Sequence, residues 1–224
     1  MRVGVILSGC GFKDGAEIHE SVLTLLALDR AGAEAVCFAP DIEQAQVVDH
    51  LSGEVVPETR NVLQESARIA RGDIADVAGA DATQLDALIL PGGFGAALNL
   101  SDFAVKGADA TVDEGVSRLV RAMHEARKPI GAICIAPAVI ARVLGKAGQP
   151  TLTIGDDVGT AAALEACGAS HEACPVESFV VDAEQRIVST PAYMLGPTIK
   201  HVAEGIERCV NAVLEMAQST STTT

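Results

Sequence analysis

The stretch Arg2-Val3-Gly4-Val5-Ile6-Leu7-Ser8 decides the fold. It is a continuous apolar run rich in β-branched residues, the mark of a strand covered on both faces. Gly9-Cys10-Gly11-Phe12-Lys13-Asp14-Gly15 follows as a turn. The spacing then predicts a helix from about Glu17 to Ala31, with Val22, Leu25, Leu26 and Asp29 marking its period and Gly32 ending it. Ala33 to Ala39 reads as a second strand closed by Pro40. Strand, helix and strand in this order form a βαβ unit, which sets two parallel strands in one sheet.

The same alternation continues along the chain. Asp86 to Leu90 is a buried strand closed by Pro91-Gly92-Gly93-Phe94-Gly95, Asp113 to Ala126 a helix, and 130–133 a short buried strand running into a helix over 136–144. Thr151 to Ile154 reads as a strand, Asp157 to Cys167 as a helix, Val176 to Asp182 and Arg186 to Ser189 as a strand pair, and Thr198 to Met216 as a terminal helix. Between the second strand and residue 71 the expectation is a short helix over Asp41 to Asp49, an irregular or hairpin arm over Leu51 to Glu58, and a helix over Asn61 to Arg71. The fold class that follows is α/β, an open, mostly parallel sheet with helices on both faces. One domain is expected over 1–218, with a mobile polar tail at 219–224. Sites in such folds lie at the carboxyl ends of the strands, so the turn-rich segments 9–17, 91–99 and 134–137 are expected to converge.

Composition narrows the function. A chain of 224 residues buries a sizeable core as one domain without disulfides or metal. Lys and Arg number 16 against 30 Asp and Glu, a net charge of −14. Such a surface repels phosphate backbones and anionic lipid, which argues against nucleic acid and membrane partners. No apolar run approaches the ~18 residues of a membrane span. The first strand starts at residue 2, leaving no room for a signal or transit peptide, so a cytoplasmic location is expected. The six Cys form neither a C-x-x-C pair nor a zinc pattern, so no metal is expected and the thiols are read as reduced. Aromatic residues are only 3% of the chain, so stacking on bases or sugars is not a theme.

The chemistry concentrates on Cys134, at the strand-to-helix junction Ile130-Gly131-Ala132-Ile133-Cys134-Ile135-Ala136-Pro137. A turn this sharp holds its central residue strained and needs small neighbours two positions away on either side; both are alanine here, Ala132 and Ala136. This is the pattern of a nucleophile elbow with Cys in place of Ser, and a helix N-terminus beneath the sulfur favours the thiolate. A buried structural Cys fits the same segment. The amides of Gly92 and Gly93 are candidates for an oxyanion hole, or simply a tight turn, and Asn99 is a further donor or a helix cap. Glu17, at the start of the first helix, is either a solvated residue favoured by the helix dipole or a carboxyl crowded against Cys134 and kept protonated. His19, Asp14 and Glu20 flank it, and Tyr193 is a candidate for the pocket wall. Gly9-x-Gly11 weakly suggests a dinucleotide fingerprint, but the next glycine comes at 15, one residue late.

Taken together, Ser8-Gly9-Cys10-Gly11, Asp14-Gly15-Ala16-Glu17-Ile18-His19-Glu20, Phe38-Ala39-Pro40-Asp41, Arg60-Asn61-Val62-Leu63, Pro91-Gly92-Gly93-Phe94-Gly95-Ala96-Ala97, Cys134-Ile135-Ala136-Pro137 and Thr190-Pro191-Ala192-Tyr193-Met194 resemble the ElbB-type glyoxalase family of the ThiJ/PfpI class I glutamine-amidotransferase-like superfamily. The resemblance covers nearly the whole chain. It implies a flavodoxin-like homodimer, Cys134 as nucleophile and Glu17 as its acid partner. It also implies a cofactor-free conversion of glyoxal or methylglyoxal, small dicarbonyl substrates, to glycolate or lactate. The family name is linked to isoprenoid biosynthesis, which is a phenotype rather than a reaction. Many superfamily members carry His directly after the nucleophile. Ile135 stands there in this chain, which argues against amidase or protease chemistry. The oxyanion and substrate-binding set expected is Gly92, Gly93, Ile135, Asn99, Tyr193 and His19. A redox sensor at Cys134, with Cys10 as resolving thiol, and an ester hydrolase or deglycase on the same Cys are the alternative readings.

Overall fold

The computed structural model describes residues 1–221. The opening unit forms as read: β1 (Arg2–Ile6), α1 (Ile18–Arg30) and β2 (Glu34–Ala39), with β1 and β2 parallel and Val5 opposite Cys37. Val3, Val5 and Leu7 join one apolar layer and Ile6 the other, which explains the unbroken apolar run from Val3 to Leu7. A two-residue hairpin, β3 (Val47–Val48) with β4 (Val55–Val56), precedes α2 (Val62–Ile69) and β5 (Ile74–Asp76). The chain goes on through β6 (Ala87–Leu90), α3 (Phe94–Leu98), α4 (Phe103–Lys106), α5 (Glu114–Glu125), β7 (Ile130–Ile133) and α6 (Pro137–Gly148). A peripheral pair, β8 (Thr151–Leu152) and β9 (Ser170–His171), brackets α7 (Val158–Ala166). Last come β10 (Val180–Asp182), β11 (Ile187–Thr190) and α8 (Ile199–Ser221).

Seven strands make the main sheet in the order β10-β11-β7-β6-β1-β2-β5. Every neighbouring pair is parallel except β10 with β11. Helices α1 and α8 cover one face through Leu28, Val202, Ile206, Val210 and Val213, while α5 and α6 cover the other through Leu119, Met123, Ile140 and Leu144. This is the expected α/β architecture. The chain runs outward from β1 in one direction to β2 and in the other to β6 and β7, so a crevice opens at the carboxyl ends of β1 and β6.

Three expectations need correction. Residues 41–49 are not helical: Glu43 bridges to Asn61, and the segment is tethered by side chains from elsewhere, with Asn99 Oδ1 accepting from Ala45 N (2.9 Å) and Asp14 Oδ2 from Val48 N (2.8 Å). The apolar period assigned to α1 marks its outward side, because Val22 and Leu26 are exposed while Glu20, Ser21, Thr24, Ala27 and Leu28 are buried. The terminal helix runs on to Ser221, through the first residues of the expected tail, whose remainder at 222–224 lies outside the described residues. No helix among the described residues is long and apolar enough to cross a membrane.

Candidate active site

The site is built where β7 ends at Ile133 and α6 begins at Pro137. The three residues between them turn the chain, and Cys134 takes φ 62°, a left-handed conformation that costs a non-glycine residue of order 1–3 kcal/mol. Hydrogen bonds from Cys134 N to Thr190 O (2.9 Å) and from Ala136 N to Ile133 O (3.0 Å) hold it there. Ala132 and Ala136 are both fully buried, as an elbow requires. Cys134 itself is 7% exposed, and its sulfur receives the backbone N–H groups of Gly93 and Ile135.

Gly92 and Gly93 follow β6, and both positions exclude a side chain. A Cβ at 92 would stand 2.4 Å from the Cβ of Cys134, and one at 93 would stand 2.3 Å from Glu17 N while φ is 93°. The turn at residues 9–15 closes on its own backbone, through Gly11 N to Ala16 O (2.9 Å) and Gly15 N to Gly11 O (2.6 Å). Gly9 N donates to Ser66 Oγ (2.8 Å), so the three glycine amides of the turn already have partners inside the protein.

The carboxyl beside the sulfur is Glu20. It is fully buried and hydrogen-bonded to Cys134. Its Oε2 accepts from Gly92 N (3.0 Å) and its Oε1 from Tyr193 N (3.2 Å), so one side chain ties α1 to the loops after β6 and β11. Glu17 stands one turn earlier as the N-cap of α1, its Oε2 accepting from Glu20 N (2.7 Å), and it faces the cavity. The carboxyl expected beside the sulfur was Glu17; the one the structure sets there is Glu20, three residues further along the chain. The signal in the sequence was a glutamate in line with Thr24, Ala27 and Leu28, the side of α1 that packs on the sheet. Val22 and Leu26, more apolar than Thr24 and Ala27, define a competing face that masks this signal.

Burial, then the nearby Glu17 charge, push the Glu20 carboxyl up to about 8. Burial and the Glu20 charge likewise push the Cys134 thiol up, while the Gly93 and Ile135 amides pull it down. Two groups in contact in a dry site do not both ionise, and with both pushed up the pair gives up its first proton only above neutral pH. When the proton sits on Glu20, the repulsion on the sulfur vanishes and the carboxyl O–H faces a thiolate held by two amides and the N-terminus of α6.

A cavity of about 880 Å³ opens over Cys134. Glu17, His19, Gly93, Ile135 and Tyr193 line it, and His19 Nδ1 lies 2.7 Å from the Tyr193 hydroxyl. Phe12, Phe94 and Phe103 form much of the remaining wall with Ala163 of α7. Asn99 does not reach the cavity. Its Nδ2 donates to Ser8 O (2.9 Å) and Asp14 O (2.8 Å), which makes it a clamp on the glycine turn. Cys10 does not line the cavity either, so it is not placed to resolve an oxidised Cys134. All six cysteines are free thiols, and no group of three or more His, Cys, Asp or Glu among the described residues is arranged to hold a metal.

No family model matches the chain. It is 46% identical over 225 residues to the human glutamine amidotransferase-like class 1 domain-containing protein 3, mitochondrial, covering 96% of this chain and 83% of that protein. The chain belongs to the class I glutamine-amidotransferase-like family. Within that family, the ES1 protein, mitochondrial, of Danio rerio is 33% identical over 236 residues, covering 96% of this chain and 86% of that protein. The crystal structure of an isoprenoid biosynthesis protein with amidotransferase-like domain from Ehrlichia chaffeensis superposes with a TM-score of 0.90 at 39% identity, covering 96% of this chain and 99% of that one. Drosophila melanogaster DJ-1beta, at 19% identity and a TM-score of 0.51 over 98% of this chain and 97% of that one, shares the fold. The cytoplasmic expectation does not stand: amidotransferase-like relatives from human, rat and zebrafish that match 96% of this chain are named mitochondrial proteins.

Proposed function

We propose that this amidotransferase-like protein is a glutathione-independent, cofactor-free glyoxalase that turns a 2-oxoaldehyde and water into a 2-hydroxy acid on Cys134. The observation that carries the reading is the buried Glu20 carboxyl against a sulfur that two backbone amides already cradle. The thiolate adds to the aldehyde carbon C1, and the new alkoxide takes the Glu20 proton to give a hemithioacetal. The Gly93 and Ile135 amides, freed as the sulfur becomes a neutral thioether, stabilise the oxygen as its charge develops. A base then removes the C1 hydrogen, and the electron pair moves through an enediol onto the C2 carbonyl. Reprotonation at C2 leaves a thioester of the 2-hydroxy acid. Water cleaves it, releasing the acid and restoring the thiol. C1 is oxidised as C2 is reduced within one molecule, so no external oxidant enters.

Glu17 serves as that base, because its carboxylate lines the cavity while Glu20 holds its proton on the sulfur side. His19 and Tyr193, joined by their 2.7 Å contact, orient the C2 carbonyl. The reading includes the homodimer that the family resemblance implies, to be read from sedimentation equilibrium. Its lyase chemistry is tested by glycolate formation from glyoxal without glutathione. Cys134→Ala is expected to fall to the uncatalysed rate, and Glu17→Gln and Glu20→Gln to lose about 10²-fold or more in kcat. Turnover retained in Cys134→Ala sinks the mechanism. Cys134-dependent hydrolysis of simple esters without any hydroxy acid from dicarbonyls would favour the hydrolase reading instead.

A further inference from the structure

The cavity is far larger and more apolar than glyoxal or methylglyoxal requires. Its volume of about 880 Å³ lies in the range of pockets that hold drug-sized ligands, roughly 300–1,000 Å³. Aromatic residues are scarce in this chain, with five Phe and one Tyr in 224 residues. Three of those five Phe (Phe12, Phe94 and Phe103) and the single Tyr nonetheless line this cavity. Phe12 is 45% and Phe94 53% exposed, so neither ring is a core residue. Their backbones are joined by the Phe94 N to Phe12 O hydrogen bond (2.8 Å), which fixes both beside the opening. Exposed apolar surface gathered at a concave site marks a place where an apolar group binds.

Charge points the same way. Among the described residues that line the cavity there is no Lys or Arg, and Glu17 is the one carboxylate facing it. A carboxylate or phosphate on the substrate would meet Glu17 and no lining Lys or Arg; Lys13 Nζ instead lies over the Phe12 ring, 5.6 Å from its centroid. The titratable groups, Glu17, His19 and Tyr193, belong to the segments that hold the sulfur, while α4 and α7 contribute Phe103, Ala104 and Ala163 with Thr160 as their one polar lining residue. One end thus suits a vicinal dicarbonyl and the other an uncharged hydrocarbon.

We infer that the substrate is an uncharged 2-oxoaldehyde bearing an extended alkyl or aryl group on C2, with the dicarbonyl at Cys134 and the apolar group among Phe94, Phe103 and Ala163. This rests on the function proposed above. Phenylglyoxal would give mandelic acid by the same atom balance, one water added and no external oxidant.

The test is a homologous series of straight-chain 2-oxoaldehydes from methyl to heptyl, assayed with the full-length protein. Once the alkyl group is longer than ethyl, intrinsic carbonyl reactivity is nearly constant and apolar area is the variable. Complete burial raises kcat/KM about fourfold per added methylene, and the expected rise is two- to fourfold until the arm is full. Ala163→Phe, which fills the arm, should collapse the ratio of heptyl to methyl kcat/KM toward one. A series that turns over with no dependence on length overturns the inference and leaves the glyoxalase reading standing. If no homologue yields a Cys134-dependent hydroxy acid, the glyoxalase reading falls. The arm is then tested alone by titrating 2-alkanones of increasing length into the Cys134→Ala variant by calorimetry. Affinity rising with length keeps an extended apolar ligand in this cavity, and affinity flat with length removes it.

Discussion

Glu20 places a carboxyl where its surroundings oppose its charge. Its ordinary value near 4.5 applies to the unfolded chain, and the folded chain holds the proton up to about 8. Between those values the folded state binds a proton that the unfolded state releases. The contribution to stability is therefore greatest below pH 4.5 and is lost as pH rises toward 8, with a slope of at most about 1.4 kcal/mol per pH unit. Urea unfolding of the wild type from pH 5 to 8 should show this decline, and Glu20→Gln should flatten it; an identical slope in the variant would place the titration elsewhere. The variant is not a silent replacement. Both Glu20 oxygens accept backbone N–H bonds, and Gln turns its own NH₂ toward one of those donors. Cys134 shows the complementary economy: the strained turn that exposes its sulfur to the cavity also aims two amides at it.

At the scale of elements, α1 decides the site because it carries Glu17 as its N-cap and His19 and Glu20 in its first turn. Its orientation is not carried by apolar period, since Val22 and Leu26 suggest a core face that the structure turns outward. A pair of identical substitutions separates the two faces. Leu28→Ala, at a fully buried position, should cost about 2–5 kcal/mol in urea unfolding, whereas Leu26→Ala, at 40% exposure, should cost less than about 1 kcal/mol. Equal costs would mean that Leu26 is covered in solution. Residues 41–49 follow the same rule. Their local sequence allows a short helix, but bonds from Asn99 and Asp14 hold their backbone N–H groups in an extended path.

Across the whole molecule, a net charge of −14 surrounds a cavity with no Lys or Arg among its described lining residues. Charge therefore neither steers a neutral substrate nor retains an anionic product. For neutral 2-oxoaldehydes kcat/KM should stay within about twofold between 20 and 200 mM salt, since no counter-charge is screened. Glyoxylate, an anion, should inhibit weakly at low salt and more strongly as salt rises. A neutral substrate losing tenfold over that range would reveal a charged binding element that the lining does not contain. The expected 2-hydroxy acid product, once ionised, faces Glu17, which favours its release.

The order of apolar runs and turns by itself determined the α/β class, the parallel βαβ opening and the elbow at Cys134, because these rest on period, turn chemistry and the need for small residues at 132 and 136. Gly92 and Gly93 were legible for the same reason, being glycines at the end of a buried strand. Three things were decided only in the tertiary structure. Which glutamate meets the sulfur depends on the rotation of α1 about its axis, set by packing on the sheet and not by local propensity. Whether Asn99 serves the site or clamps a turn depends on which carbonyls lie within reach, and those belong to residues 91 and 85 positions away in the chain. Finally, Phe12, Phe94 and Phe103 are scattered singly in the sequence and carry no periodic signal. They form one wall because the loop after β1, the start of α3 after β6 and helix α4 meet at the same carboxyl edge of the sheet.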